Sequence, residues 1–371
     1  MSTPRGPGAS HPKEAEPERI ETPGTAPSTI WVGAGLLDAA GRYLASPSGR
    51  FLLIGAASAR AWTERLRAAL PSAPLLDLTI PDGELAKTLA SVDAIAEAAF
   101  AAGVRRDDAI VAIGGGVVTD VAGFAAAILL RGIAWNAVPT TTAGMADAAI
   151  GGKTAVNHAR GKNLLGAFHP PRTILVDPLC LQSLPARDYR AGLIEAYKAA
   201  WIADAPLAGR AAAALPAILA REAAPLRDLL AGAARVKARL VSEDVRDDGA
   251  RRLLNFGHTL GHAIEAAGGY GTLRHGEAVA WGIAAALEIS RRRAGLSDSD
   301  ADAVRAVLSG LGPFPAPVRD PNVLRPFLGL DKKATSRGTA GILLESIGRG
   351  RVEESVSAEE WLQAAAIMSL S

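Results

Sequence analysis

The chain has 371 residues, enough for one large or two ordinary domains with real cores. Hydrophobic residues make up 49% of it and the formal net charge is +2, which excludes a chain-wide basic surface for nucleic acid or membrane; any positive patch must be local. A single cysteine, Cys180, excludes an internal disulfide framework and points to a reducing, cytoplasmic setting.

Residues 1–30 are rich in Pro, Gly, Ser, Thr and Glu, contain no apolar core of a secretory signal, and are expected to form a disordered tail. Residues 31–186 alternate between short apolar runs and helical patterns. Strands are expected at Phe51–Gly55, Pro74–Leu78, Asp108–Ile113, Ile133–Val138 and Thr173–Asp177, with helices at 61–70, 87–102 and 117–130. That alternation predicts a parallel sheet covered on both faces, an α/β domain. Residues 187–371 turn mostly helical: 189–202, 206–219, 226–241, 253–267, a run from His275, 298–308, then a β-like Gly341–Glu345 and a last helix near Ala358. An all-α second domain is therefore expected. No apolar run spans a bilayer; Val121–Leu130 is too short.

Several constellations carry chemistry. Gly114-Gly115-Gly116 falls between a strand and a helix, where backbone amides can approach a pyrophosphate; Asp120 stands in the helix that follows. Asp82, Glu84 and Lys87 mark a turn entering a helix, with Glu84 a candidate for a ribose hydroxyl. Asp147, Lys153, Asn157, Lys162 and Asn163 crowd a Gly-rich stretch suited to phosphate or carboxylate. Gly151-Gly-Lys-Thr is not a P-loop, because Asp147 stands where the leading glycine belongs. Glu195 and Lys198 are i and i+3 on an Ala-rich helix, either a surface ion pair or a metal ligand with a cation beside it. Lys237, Arg251 and Asn255 add anion-binding candidates.

Three of the six histidines, His258, His262 and His275, fall in one short stretch. Imidazoles gathered this way point to a metal centre. Helical spacing by itself pairs His258 with His262 on one face, i and i+4.

At these residues the sequence resembles the 3-dehydroquinate synthases, of the sugar-phosphate cyclase family. The resemblance runs from about Pro81 onward. It is carried jointly by Asp82-Gly-Glu-Leu-Ala-Lys87, Gly114-Gly-Gly-Val-Val-Thr-Asp120, Val138-Pro-Thr-Thr141, Gly151-Gly-Lys153-Thr-Ala-Val-Asn157, Gly161-Lys162-Asn163, Glu195-Ala-Tyr-Lys198, Leu254-Asn-Phe-Gly-His-Thr-Leu-Gly-His-Ala-Ile-Glu265 and His275-Gly-Glu277.

The resemblance implies a Rossmann-like NAD domain followed by a helical metal and substrate domain. Glu195, His258 and His275 match the family's metal ligands for Zn2+ or Co2+, which moves His262 from ligand to substrate neighbour. Asp82, Glu84, Lys87, Gly114, Gly115, Gly116, Asp120, Thr140, Thr141, Lys153, Lys162 and Ser183 match the NAD side. Asp147, Lys153, Asn163, Lys198, Lys237, Arg251, Asn255, His262 and Lys332 match groups around the substrate. Arg131 matches an arginine that reaches a neighbouring subunit's site in a homodimer. The implied reaction converts 3-deoxy-D-arabino-heptulosonate 7-phosphate to 3-dehydroquinate and phosphate, in the shikimate pathway to aromatic amino acids. It runs by transient oxidation with NAD, β-elimination of phosphate, re-reduction and an intramolecular aldol addition.

The sequence departs from the family pattern at Asp247, a carboxylate one methylene shorter than the usual Glu, beside Val245. It departs also at Ala199 and Ala200 after Lys198, at Thr142-Ala-Gly-Met, and at Cys180-Leu-Gln-Ser183, where an aromatic face is lost but a hydroxyl kept. Three other readings compete: a secondary-metabolism cyclase acting on sedoheptulose 7-phosphate or a hexose phosphate, a metal-dependent polyol dehydrogenase, and a non-catalytic relative. Lys153 and Arg251 favour the carboxylate-bearing substrate over the first. Glu195, in place of the Asp usual in those dehydrogenases, and the many lysines disfavour the second; the intact ligand set disfavours the third.

Overall fold

The computed structural model describes residues 16–23, 27–269, 271–328, 334–335 and 338–370. In chain order the first half holds β1 (Glu18–Thr22), β2 (Ser28–Val32), β3 (Phe51–Ala56), α1 (Arg60–Ala68), β4 (Leu76–Ile80), α2 (Leu89–Ala101), β5 (Ala109–Gly114), α3 (Gly116–Ile128), β6 (Ala134–Pro139), β7 (Lys153–His158), β8 (Gly161–Phe168) and β9 (Thr173–Val176). Seven of these strands form one sheet in the order β1-β2-β9-β6-β5-β3-β4, parallel except for the β1–β2 pair. β3 and β5 are buried at every position, as a sheet sandwiched between helices requires.

The expected tail over 1–30 is corrected in its second half. Glu18–Thr22 pairs with Ser28–Val32 in register, and Ile20 and Ile30 enter the core. Glu-Arg-Ile-Glu-Thr has only one apolar residue, so composition hides a strand that its partner supplies with backbone bonds.

The chain runs from β3 to β4 on one side and returns to place β5 on the other side of β3. The strand order thus reverses at β3 and β5, and a ligand crevice is expected beyond their carboxyl ends. β7 and β8 form a separate antiparallel hairpin packed on α3.

The second half is helical: α4 (Ala186–Ala203), α5 (Ala205–Ala213), α6 (Leu215–Leu219), α7 (Ala223–Glu243), α8 (His258–Ala267), α9 (His275–Arg293), α10 (Asp298–Leu311), α11 (Pro321–Leu328) and α12 (Ala358–Ile367). It also carries a small antiparallel sheet of β10 (Ala334–Thr335), β11 (Gly338–Ser346) and β12 (Arg349–Val356); the expected β-like piece lies in β11. α4 and α9 are buried along most of their length, and α9 packs against α4, α8 and α12. No helix among the described residues is long and apolar enough to cross a membrane.

Candidate active site

The glycine turn closes β5 at the reversal point. A Cβ on Gly114 would lie 2.9 Å from the Cβ of Ala56 at the end of β3, and one on Gly115 3.1 Å from Thr141 Cγ2. Bare backbone is what lets the strand ends and the α3 N-terminus come together there. Thr140 donates its amide to the Gly114 carbonyl at 2.9 Å, which brings the end of β6 alongside.

Lys87 is buried and lies across this crevice. Its Nζ is 2.5 Å from Asp120 Oδ2 on the first turns of α3, and it also donates to Asn163 Oδ1. Burial raises the Asp120 pKa to about 6, against the pull of Lys87. Asn157 donates to Glu84 Oε1 at 2.7 Å and accepts from the Asn163 amide at 3.0 Å, so the β7–β8 hairpin is tied to the turn before α2. Asp82 instead accepts from Ser58 N and Oγ at 2.8 and 2.7 Å and shapes the adjoining loop. Ser183 Oγ accepts from the Trp62 indole at 2.8 Å.

Asp147 sits in a single π-helical turn, Gly144–Ala148, a geometry often found at functional positions. α7 presents Lys237 to it, 2.6 Å from Oδ1. Burial lowers the Lys237 pKa to about 8, although Asp147 works the other way. Arg251 is also buried and donates to the carbonyls of Gly151 and Val245 at 3.2 and 2.9 Å. Lys153 reaches Asp247 at 2.7 Å, so the shortened carboxylate still makes a bridge between hairpin and helical half. Gly151-Gly-Lys-Thr leads into β7 rather than a helix, in keeping with its not being a P-loop.

The two helical halves of the metal candidate meet at Glu195. It projects from the middle of α4 and is 2% exposed; Lys198, one turn on, is 1% exposed and pairs with Oε2, so this is no surface ion pair. His258 begins α8 after the left-handed Gly257, which breaks the single helix expected over 253–267 into a 3-10 turn and α8. His275 begins α9. Their Nε2 atoms stand 3.9 and 3.4 Å from Glu195 Oε1.

The tautomers follow from the partners. His258 Nδ1 faces the Phe256 carbonyl at 3.2 Å, and His275 Nδ1 faces Glu265 Oε2 at 2.9 Å. Both partners accept only, so both Nδ1 atoms carry the proton, and in the neutral rings each Nε2 turns a lone pair toward the carboxylate. Among the described residues, neither oxygen of Glu195 accepts a well-directed hydrogen bond. Burial works against ionising Glu195, yet Lys198, His275 and His258 hold its pKa well below the usual range. Burial and Lys198 keep His258 neutral. Burial opposes protonation of His275, yet Glu195 and Glu265 raise its pKa to about 10.

A buried carboxylate facing two nitrogen lone pairs needs a cation between them, either a proton on His275 or a divalent metal. His262, one turn along α8, brings its ring centroid to 5.2 Å from His258 and 5.8 Å from His275, and one ring nitrogen of each of the three lies within 4.8 Å of the others. Both the helical pair and the Glu195-containing set are thus physically close. Asn255, Thr259, Arg252, Asp247 and Ile342 of β11 line the cleft beside these rings. Thr259 and Ile342 had no recognisable signal in the sequence. Glu265 did: it lies at i+7 from His258 on the same helix face.

One expected site residue is not brought here. Arg131 is exposed at the far end of α3 from the glycine turn, in the left-handed region with φ of 68°. Lys332 lies outside the described residues.

A two-domain arrangement with a crevice at the strand reversal and an N/O-lined metal candidate across it defines a nucleotide- and metal-using enzyme class. The chain belongs to the 3-dehydroquinate synthase family: residues 77–191 match the model of the 3-dehydroquinate synthase N-terminal part and residues 192–334 that of its C-terminal part. It is 40% identical over 334 residues to a 3-dehydroquinate synthase of Solibacter usitatus, covering 89% of this chain and 92% of that one. It is 43% identical over 274 residues to that of Geobacter metallireducens, covering 74% and 76%. Among solved structures it is similar to a 2-epi-5-epi-valiolone synthase from Streptomyces hygroscopicus with NAD+ and Zn2+ bound, at a TM-score of 0.83 and 30% identity over 94% of this chain and 98% of that one. A 2-deoxy-scyllo-inosose synthase complexed with carbaglucose-6-phosphate, NAD+ and Co2+ matches at a TM-score of 0.81 and 27% identity, over 95% and 100%.

Proposed function

We propose that the chain converts 3-deoxy-D-arabino-heptulosonate 7-phosphate to 3-dehydroquinate and phosphate, acting as a carbon–oxygen lyase in aromatic amino-acid biosynthesis. The observation that carries the reading is the buried Glu195 carboxylate, without a directed hydrogen bond from the described residues, facing the Nε2 atoms of His258 and His275. Glu195, His258 and His275 form an N/O donor set that fits Zn2+ or Co2+, with His262 left to the substrate.

Bound there, a divalent metal supplies Lewis acidity toward substrate oxygens. Bound along Gly114–Gly116, NAD supplies a reversible hydride acceptor that leaves unchanged at the end of the cycle. The chain supplies position and charge. Glu84, Lys87, Asp120, Thr140 and Thr141 frame the nucleotide crevice, with Asp82, Lys162 and Ser183 at its margins. Lys153, Lys237, Arg251 and Asn255 present cations and an amide to the substrate's carboxylate and phosphate. Asp147 and Asn163 offer acceptors to its hydroxyls, and Lys198 places an ammonium beside the metal position.

We place the nucleotide domain at residues 18–186, the expected 31–186 extended by the β1–β2 pair, and the metal and substrate domain at 187–371. The exposed Arg131, far from its own chain's crevice, fits a homodimer in which it serves the partner's site. The single Cys180 is buried and unpaired, which fits a cytoplasmic protein. The test is phosphate release from the seven-carbon keto-acid phosphate with catalytic NAD and zinc; turnover of sedoheptulose 7-phosphate instead would assign the chain to the secondary-metabolism cyclases.

A further inference from the structure

Glu265 makes two contacts in opposite directions. Oε2 accepts from His275 Nδ1 at 2.9 Å, and Oε1 faces Lys162 Nζ on β8 at 3.6 Å. Its side chain is only 9% exposed, and it stands on α8 seven residues after His258 and three after His262. His275 Nε2, the other ring nitrogen, is the one turned to Glu195 at 3.4 Å. The orientation of that ring is set by the atom Nδ1 donates to, and a ligand whose ring is free to turn binds metal less tightly.

We propose that Glu265 is a positioning residue: it fixes the tautomer and direction of His275 and, through Lys162, ties that direction to the β7–β8 hairpin of the nucleotide half. The inference rests on the metal reading of Glu195, His258 and His275. The hairpin is otherwise fastened to the nucleotide crevice, through Asn157 on Glu84 and through Asn163, which accepts from Lys87. Lys162, Glu265 and His275 therefore form a chain of polar contacts from the crevice to the metal position. A shift of the hairpin would be felt at His275 through two side chains rather than through the backbone.

The test is metal affinity. Co2+ is titrated into the full chain after chelator treatment and followed by its visible absorption, in wild type, Glu265→Ala, Glu265→Gln, Lys162→Ala and the Glu265→Ala/Lys162→Ala double variant. Glu265→Ala should weaken Co2+ binding by about 10- to 100-fold. Glu265→Gln keeps an acceptor for Nδ1 and should recover most of that loss, whereas Glu265→Leu in the same titration, which fills the space without an acceptor, should not; a merely structural role would predict recovery in both. Lys162→Ala should weaken binding several-fold in the wild-type background and not at all in Glu265→Ala, the non-additivity expected of residues acting in series. Wild-type affinity in Glu265→Ala, or no recovery with Gln, would overturn the positioning role while leaving the metal site intact. Additive losses would overturn the link to the hairpin. Failure of the wild-type chain to take up Co2+ would instead overturn the metal reading itself, and the inference with it.

Discussion

Gly276 of α9 passes so close to Ala191 of α4 that a Cβ built on it would lie 1.8 Å from the Ala191 carbonyl oxygen. The neighbours of these two residues are the ones the site needs. Glu195 is one turn beyond Ala191, and His275 directly precedes Gly276, so the helix contact sets their 3.4 Å separation. Any side chain at 276 must push α9 away from α4. Gly276→Ala should cost about 1–3 kcal/mol of stability through overpacking and weaken Co2+ binding at least tenfold. Thermal unfolding and metal titration on the same sample check both; wild-type affinity would show that the contact does not set the ligand spacing.

His275→Ala removes one of the two imidazoles facing Glu195. The variant should stay folded, lose stoichiometric zinc and lose turnover. In the wild type, zinc at a hundredfold over Kd should add about 2.7 kcal/mol of stability by mass action, and a chelator should remove it. Neither zinc nor chelator should shift the melting temperature of the variant. Full activity with stoichiometric zinc in His275→Ala would refute the ligand assignment.

Lys237 gives the account a pH dependence. Burial lowers its pKa to about 8, so its charge is complete below that value and lost as pH rises through it. An anionic substrate held by the ammonium should bind best on the acid side, and kcat/KM should fall across the region around pH 8. Lys237→Arg keeps its charge at all accessible pH values. Its profile should lose that limb whatever its absolute rate, whereas a limb unchanged in the variant would assign the titration elsewhere.

Lys198 and Glu195 form a fully buried pair. Removing the cation by Lys198→Ala leaves the carboxylate only the His275 proton as counter-charge and should cost up to about 3–5 kcal/mol in metal-free protein. Saturating zinc should reduce that cost, since the metal neutralises the same carboxylate. Denaturant unfolding with and without zinc measures the difference; an equal cost in both states would separate Lys198 from the metal position.

The central sheet was legible because its strands are short apolar runs. Phe51, Ala109 and Thr173 begin strands within a residue of where the sequence places them, and the glycine turn after β5 follows from the order strand, glycines, helix. β1 was hidden by its charged composition. β7 and β8 were hidden by glycines and lysines that read as a loop, though Thr154 and Val156 alternate with exposed or half-exposed neighbours. The helix expected over 206–219 is broken at Ala214, and α6 starts anew at Leu215 with Pro216 in its first turn. The histidines were visible as a cluster, but helical spacing pairs His258 with His262. Glu195 lies 63 residues before His258 in the chain, and only the packing of α4 against α9, with α8 on α9 in turn, brings it to the rings. Glu265 was within the quoted motif, but its part depends on a contact across the two halves.

The most direct test of the account is simultaneous measurement of phosphate and NADH during turnover of 3-deoxy-D-arabino-heptulosonate 7-phosphate, with NAD far below substrate. The predicted result is many phosphates released per NAD, no net NADH, and full loss of release on adding a chelator. Stoichiometric accumulation of NADH, or phosphate release indifferent to the chelator, would contradict it.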